Sequence, residues 1–253
     1  LGGEVDGRGE LRRAVAEHAE RGVDVVKVMA TGGELTAGTD PGAAQFDVGS
    51  LRLLVAEAHR HGLPVAAHAH GASGIANAVA AGVDTVEHCS FLTGRGVEPD
   101  EDVIAAVAAS GVVVSLTLGL VPGVPVPPRI AENMLRLAAL LRLIVGSGAA
   151  FVLGSDAGIG PPKPHDMLPY AVELLADAAG SVPALAAVTS FAARACGVGD
   201  SVGRLAPGYD ADLLAVRGDP VADVRALHDV VAVYRAGVLV TPSPARQSVR
   251  GRY

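Results

Sequence analysis

The chain has 253 residues, half of them hydrophobic, 19% charged and 3% aromatic, with a formal net charge of −7. That length buries a full core in one large α/β domain with a small appendage, and the acidic balance leaves no basic patch for nucleic acid. Two cysteines, Cys89 and Cys196, without a CxxC spacing, argue against a disulfide framework and fit a reducing, cytoplasmic compartment.

Residues 9–21 (GELRRAVAEHAER) read as an amphipathic helix, with Leu11, Val15 and Ala19 on one face and Gly22 as the stop. A strand at 23–29 follows, then a Gly/Thr-rich loop at 30–45, long for a βα connection and therefore a place to look for function. Asp47 or Ser50 caps a helix to about Arg60, ended by Gly62. Strand 63–68, helix 73–81 and strand 83–88 repeat the unit. Pro99 opens a helix over 99–110, and a strand at 112–117 comes next. The Pro-rich segment 122–128 leads into a helix over 129–146 and a strand at 150–155.

The longest apolar stretch, Leu135 to Leu153, carries Arg136, Arg142 and two glycines. It reads as a core helix running into a strand, not as a membrane span, and no signal-peptide pattern opens the chain. A second rim loop, GIGPPKPHD at 158–166, leads to helices over 167–179 and 183–196, the latter with Pro183 in its first turn. After Gly203 short apolar runs and turns predict a small β appendage. The expected domains are residues 1–200 and 201–253, ending in a polar, Arg-bearing tail from 242.

Alternating strands and helices predict a parallel sheet with helical crossovers. In such folds the carboxyl ends of the strands form the active-site rim. Lys27, His68, His88 and Asp156 each fall at or near the end of such a run, and their equivalent positions point to a metal site. Imidazole nitrogen suits zinc and similar divalent ions, and Asp156 adds an anionic oxygen. Taken singly, a strand-end His is more often a hydrogen-bonded structural residue, and a strand-end Asp often caps the next helix.

Lys27 shares its strand face with Val25 and Met29, which predicts an apolar, interior setting. A lysine neutralised by burial reacts with carbon dioxide to give an anionic carbamate; the alternative is a lysine paired with an acid or reaching the rim. His70 lies on the same side of its strand as His68, and is a second ligand, a substrate contact or a proton shuttle. Glu87 and Cys89 are expected to pack on the face opposite His88. His18, His59 and His61 read as solvated, and His165, on the second rim loop, as a weaker substrate-site candidate.

These motifs resemble the metal-dependent amidohydrolase superfamily, in particular its imidazolonepropionase and Xaa-Pro dipeptidase-like branch, which includes carboxypeptidase-like enzymes. KVMATGG at 27–33 looks like the fourth barrel strand, HAHG at 68–71 the fifth, VEHCS at 86–90 the sixth and GSDAG at 154–158 the eighth. LAPGYDADLLAVRGDP is similar to the return into a small β-sandwich. The resemblance implies a partial TIM-type (β/α)8 barrel, strands four to eight, with a C-terminal piece of the sandwich.

The resemblance further implies metal ligation by His68, His88, Asp156 and a carboxylated Lys27 that bridges two divalent ions of the zinc kind. Asp156 takes the proton of the attacking water, and His70, Thr31 and His165 contact a small-molecule or short-peptide substrate with a scissile amide, peptide or cyclic-amide bond. The family's first-strand His-x-His has no counterpart before Lys27, so the expected partner is an N-terminal portion of the same enzyme, and unpaired strand edges predict a homo-oligomer. Two rivals remain: a catalytically silent fragment of such an enzyme, and a nucleotide-binding α/β module. The second would need a glycine-rich loop opening directly into a helix.

Overall fold

The structure, a computed structural model, describes residues 3–5, 7–34, 36 and 38–240. The tail from 242 lies outside the described residues. The chain divides into two compact units, one ending at Met167 and one beginning at Leu168.

In the first unit, α1 (Arg8–Glu20) precedes β1 (Val26–Met29), α2 (Val48–Arg60), β2 (Val65–Ala69), α3 (Ala72–Ala81) and β3 (Thr85–His88). A small hairpin of β4 (Leu92–Thr93) and β5 (Gly96–Val97) follows, then α4 (Glu101–Ser110), β6 (Val113–Leu116), α5 (Pro128–Gly146) and β7 (Phe151–Leu153). Between the two candidates for the α2 cap, Asp47 is the residue used: its carboxylate accepts from the Ser50 amide at 2.6 Å. Asp100, not Pro99, caps α4, accepting from the Val103 amide at 3.1 Å, so that helix starts later than its proline implied.

The five longer strands form one parallel sheet in the order β1-β2-β3-β6-β7. The order never reverses, whereas a doubly wound nucleotide-binding sheet has a switch point. The loop after β1 also runs on to Val48 before a helix begins, so the phosphate-loop reading lacks its structural context.

Register places Val28, Ala67, Val86 and Val114 on one side of the sheet, and all are buried. Against that side α2 and α3 lay Leu51 and Ile75, both fully inaccessible. Burying such a side chain contributes roughly 1.5–3 kcal/mol, which is why this face holds the sheet together. The opposite side is different. Lys27 and Met29 are exposed on it, and Thr85, Glu87 and Ser115 are half-buried. Lys27 therefore does not lie in the apolar interior that its neighbours Val25 and Met29 predicted, because in this chain they are themselves 45% and 38% exposed. Glu87 is not on the packing side either: it faces with His68 and accepts from the Thr85 hydroxyl at 2.6 Å. Cys89 is buried as expected.

The second unit holds α6 (Leu168–Ala179), α7 (Ser181–Ala187), α8 (Ser190–Ala195), β8 (Leu213–Val216), the 3₁₀ turn Val224–His228, β9 (Val230–Arg235) and β10 (Val238–Val240). The helix expected over 183–196 is two helices. Val188 and Thr189 leave the helical path, and the Thr189 hydroxyl bonds back to the Leu185 carbonyl at 2.7 Å, a competition with the helix ladder typical of threonine. The β strands form an antiparallel sheet in the order β10-β9-β8. Ala236 and Gly237, both with positive φ, turn β9 into β10, as two-residue hairpins require. The 3₁₀ turn packs on α6, where His228 pairs with Glu173. That packing groups the β-rich segment with α6 to α8, so the compact units part earlier than the change of composition near residue 200.

Candidate metal centre

The site is built at the carboxyl ends of β2 and β3. Register sets His68 beside Met29 and Glu87, on the open side of the sheet. His70, just past β2, has the same parity. His88 poses a problem, because strand alternation would send it with Val86 toward the helices. The backbone resolves it: His88 and Cys89 adopt left-handed φ of 72° and 50°, and the strand ends in a turn. Such conformations cost non-glycine residues on the order of 1–3 kcal/mol each. They are held by the burial of Cys89 and of Phe91, itself at φ 50° and fully inaccessible.

The result is a compact triad of imidazoles. The His88 ring lies 4.5 Å from that of His68 and 4.6 Å from that of His70, and His68 and His70 are 4.6 Å apart. One ring nitrogen from each falls within 4.8 Å of the others.

Each ring has a partner that orients it. His68 Nε2 is 3.2 Å from the Gly32 carbonyl; a carbonyl only accepts, so Nε2 carries the proton and Nδ1 keeps its lone pair. His70 Nδ1 is 2.6 Å from the Ser90 hydroxyl, and His88 Nδ1 is 2.7 Å from the Thr117 hydroxyl. With those hydroxyls accepting, Nε2 of both rings keeps the lone pair, the arrangement common behind metal-bound histidine.

Burial disfavours the imidazolium form at all three sites. It lowers the pKa of His68, against the raising effect of the Gly32 hydrogen bond. It pushes His70 down to about 3, helped by His68 and the Arg129 charge, and His88 down to about 2, helped by His70, His68, Lys27 and Lys163. Three imidazoles disfavoured as cations, each held by a partner atom and with one ring nitrogen apiece within 4.8 Å of the others, fit a divalent ion such as zinc.

The remaining expected residues stand as follows. Asp156 lies just beyond β7 in a left-handed conformation, φ 50°. Its carboxylate is outside the group of mutually close ligand atoms among the described residues, yet close enough to raise the His68 pKa. Lys27 acts on His68 and His88 in the opposite sense, by charge. His70, read from its strand position as a second ligand, a substrate contact or a proton shuttle, is a member of the triad. His165 is exposed on its rim loop, close to Gly158.

Thr31 is fully buried, donates to the Gly32 carbonyl at 2.9 Å and accepts from the His70 amide at 3.0 Å, so its hydroxyl ties the loop after β1 to the end of β2. Thr31→Val is expected to lower stability by about 1–3 kcal/mol, the cost of leaving a buried amide unpaired. Thr31→Ser should retain most of it, and denaturant titration of both variants checks this.

Sequence reasoning missed Ser90, Thr117 and Lys163. Thr117 had a usable signal, since it too falls at the end of a strand-like run, next to last in VVVSLTL. Lys163 had none, being one polar residue in a proline-rich loop. Its ammonium donates to the Thr117 carbonyl at 2.8 Å and the Ser155 carbonyl at 3.2 Å, and lies 3.9 Å from Asp156 Oδ2.

The parallel sheet thus carries at its carboxyl rim three histidines that could hold a metal ion. The sequence pattern of the Amidohydrolase family matches residues 2–240, and the chain belongs to that family. It is 32% identical over 242 residues to ochratoxinase from Aspergillus niger, covering 90% of this chain and 48% of that protein. It is 32% identical over 180 residues to imidazolonepropionase from Chloroflexus aggregans, 69% of this chain and 38% of that one.

Among solved structures it resembles a Xaa-Pro dipeptidase with bound methionine in its active site, with a TM-score of 0.80, 25% identity and coverage of 93% and 59% of the two chains. It also resembles A. niger ochratoxinase, with a TM-score of 0.76, 28% identity and coverage of 93% and 55%. The fold is thus TIM-like α/β, and the chain spans about half the length of the curated relatives it matches. Among the described residues no helix is long and apolar enough to cross a membrane.

Proposed function

We propose that this chain carries the metal-binding and proton-transfer half of an amidohydrolase that cleaves an amide, peptide or cyclic-amide C–N bond. The observation that supports the reading is the triad of His68, His70 and His88, the first two buried and the third half-buried, each oriented through a partner atom. In the complete enzyme Lys27, carboxylated by carbon dioxide, and Asp156 complete the donor set for two ions, of which zinc best suits the nitrogen-rich side. A divalent ion there lowers the pKa of water toward ~7 and polarises a carbonyl.

The chain's own residues do the rest. Asp156 accepts a proton from the water that attacks the carbonyl carbon, then returns it to the nitrogen as the C–N bond breaks. The neutral imidazoles add no positive charge of their own that would repel a cation. His165, on the rim loop, contacts the substrate, which is a small molecule or a short peptide of the Xaa-Pro or carboxypeptidase-like kind.

The open side of the sheet favours a second statement about where activity resides. Lys27 and Met29 are exposed on that side. The reading is therefore a partial barrel, strands four to eight, completed by an N-terminal portion of the same enzyme, with β8 to β10 as part of a small sandwich. On this reading the 253-residue chain alone binds metal but turns over little.

The test is metal content and hydrolysis on the purified chain. Zinc at about 100 times its dissociation constant is expected to stabilise the chain by ~2.7 kcal/mol, reversed by chelation. Dipeptide, N-acyl amino acid and lactam substrates should show at most traces of turnover. A chain that takes no zinc sinks the metal reading, and vigorous turnover by the chain alone sinks the division of labour.

A further inference from the structure

A single sheltered ammonium joins the ends of two strands, β6 and β7. The Lys163 side chain is only 12% exposed, and its Nζ donates to the main-chain carbonyls of Thr117 and Ser155 while lying 3.9 Å from Asp156 Oδ2. Both carbonyls belong to residues that matter for the centre. Thr117 presents its hydroxyl to His88 Nδ1 at 2.7 Å, and Ser155 immediately precedes Asp156.

The rim loop is closed by its own main chain. Gly158 donates to the Lys163 carbonyl at 2.8 Å, Lys163 to Gly160 at 2.9 Å, and Val121 to Pro162 at 2.9 Å. The loop's shape thus has main-chain support of its own, and the lysine side chain is spent on the strand ends. A cation this sheltered is costly unless its donors are satisfied, and an ammonium with three donors suits two carbonyls and a carboxylate around one point. A guanidinium, planar and forked, does not.

We infer that Lys163 is a positioning residue of the centre, fixing the ends of β6 and β7 so that Thr117 holds the His88 ring and Asp156 keeps its left-handed place at the rim. The inference rests on the reading of His88 and Asp156 as site residues. Thr117 is its point of leverage, because it touches Lys163 through its carbonyl and His88 through its hydroxyl.

The experiment replaces the ammonium and then rebuilds it. In a Cys196→Ser background, Lys163→Cys removes the charge, and alkylation with 2-bromoethylamine restores an ammonium at nearly the original reach. Cys196 must go because it is exposed, whereas Cys89 is buried with its thiol pushed up to about 12, which protects it from alkylation. The first readout is the ring ¹⁵N spectrum of His88 in the metal-free chain, assigned with His88→Gln. Lys163→Cys should move the ring nitrogens toward tautomer averaging, and aminoethylation should bring them back. The second is Co²⁺ binding, expected to weaken about 10- to 100-fold, as for other residues behind a ligand, and to recover on alkylation.

An unchanged His88 spectrum in Lys163→Cys overturns the inference, as does a change that alkylation leaves in place. Global unfolding of both Lys163→Cys and Lys163→Gln would make Lys163 a residue of the fold and overturn it too. If the parent chain takes no Co²⁺ at all, the hydrolase reading fails on that result, while the metal-free spectrum still decides the role of Lys163.

Discussion

In the complete enzyme Asp156→Asn is expected to lower turnover by ~10²–10⁴, the usual loss when a general base is removed, with the fold intact. The conformation explains why the fold should survive. Asp156 sits at φ 50°, a region that asparagine enters about as readily as aspartate, so the substitution keeps both shape and backbone. What it removes is the site that takes the proton of the attacking water. Circular dichroism and a thermal melt should overlay on the parent while hydrolysis collapses. Near-normal turnover with an unaltered spectrum would eliminate the assigned role. Asp156→Ala is the less informative variant, because alanine is less at ease with positive φ and mixes strain with lost chemistry.

The largest structural effect is expected at Gly71, which follows the triad's His70 and precedes α3. Its φ of −76° is ordinary for any residue, so conformational freedom is not the reason for glycine here. Space is. A Cβ at this position would stand 2.3 Å from the Gly42 carbonyl oxygen and 2.7 Å from its carbon, and these are main-chain atoms with no side-chain freedom to retreat. The same strand end is pinned from the other direction, since the Gly71 amide donates to the Pro41 carbonyl at 2.9 Å.

Gly71→Ala must therefore part the 40–42 loop from the end of β2, and is expected to cost about 3 kcal/mol, the upper part of the usual range for overpacking. It should weaken zinc binding as well, because His70 moves with the strand end. Gly146→Ala is the control. Nothing lies within 4 Å of a Cβ there, and stability should change by no more than about 0.5 kcal/mol. Denaturant midpoints for the pair decide the matter, and equal midpoints would show that the close approach is not rigid.

The amino-acid pattern by itself determined the alternation of strands and helices, because apolar period and turn residues are local properties. That alternation predicted a parallel sheet, and the strand-end rule then picked out His68 and His88 without any coordinates. It also supplied the motifs by which the chain resembles its family. Element ends were less legible where two local signals competed, as at Asp47 against Ser50, or where a threonine hydroxyl diverts the chain, as at Thr189.

Tertiary structure alone decided the rest. Alternation would have turned His88 away from His68. It joins the triad because two consecutive left-handed residues, held by the buried Cys89 and Phe91, re-aim it, and no local preference of His or Cys announces that geometry. Thr31, on the loop after β1, is fully buried and bonded to the His70 amide, which its place in the sequence did not announce. Lys27 looked interior and is exposed, because burial of a strand face depends on what lies opposite that face, which the strand's own residues do not encode. Lys163, silent in the sequence, reaches Thr117 across 46 positions of chain. Long-range approach of this kind is set by packing of the whole sheet, and that is why the ligand candidates could be read from the sequence while the atoms that hold them in place could not.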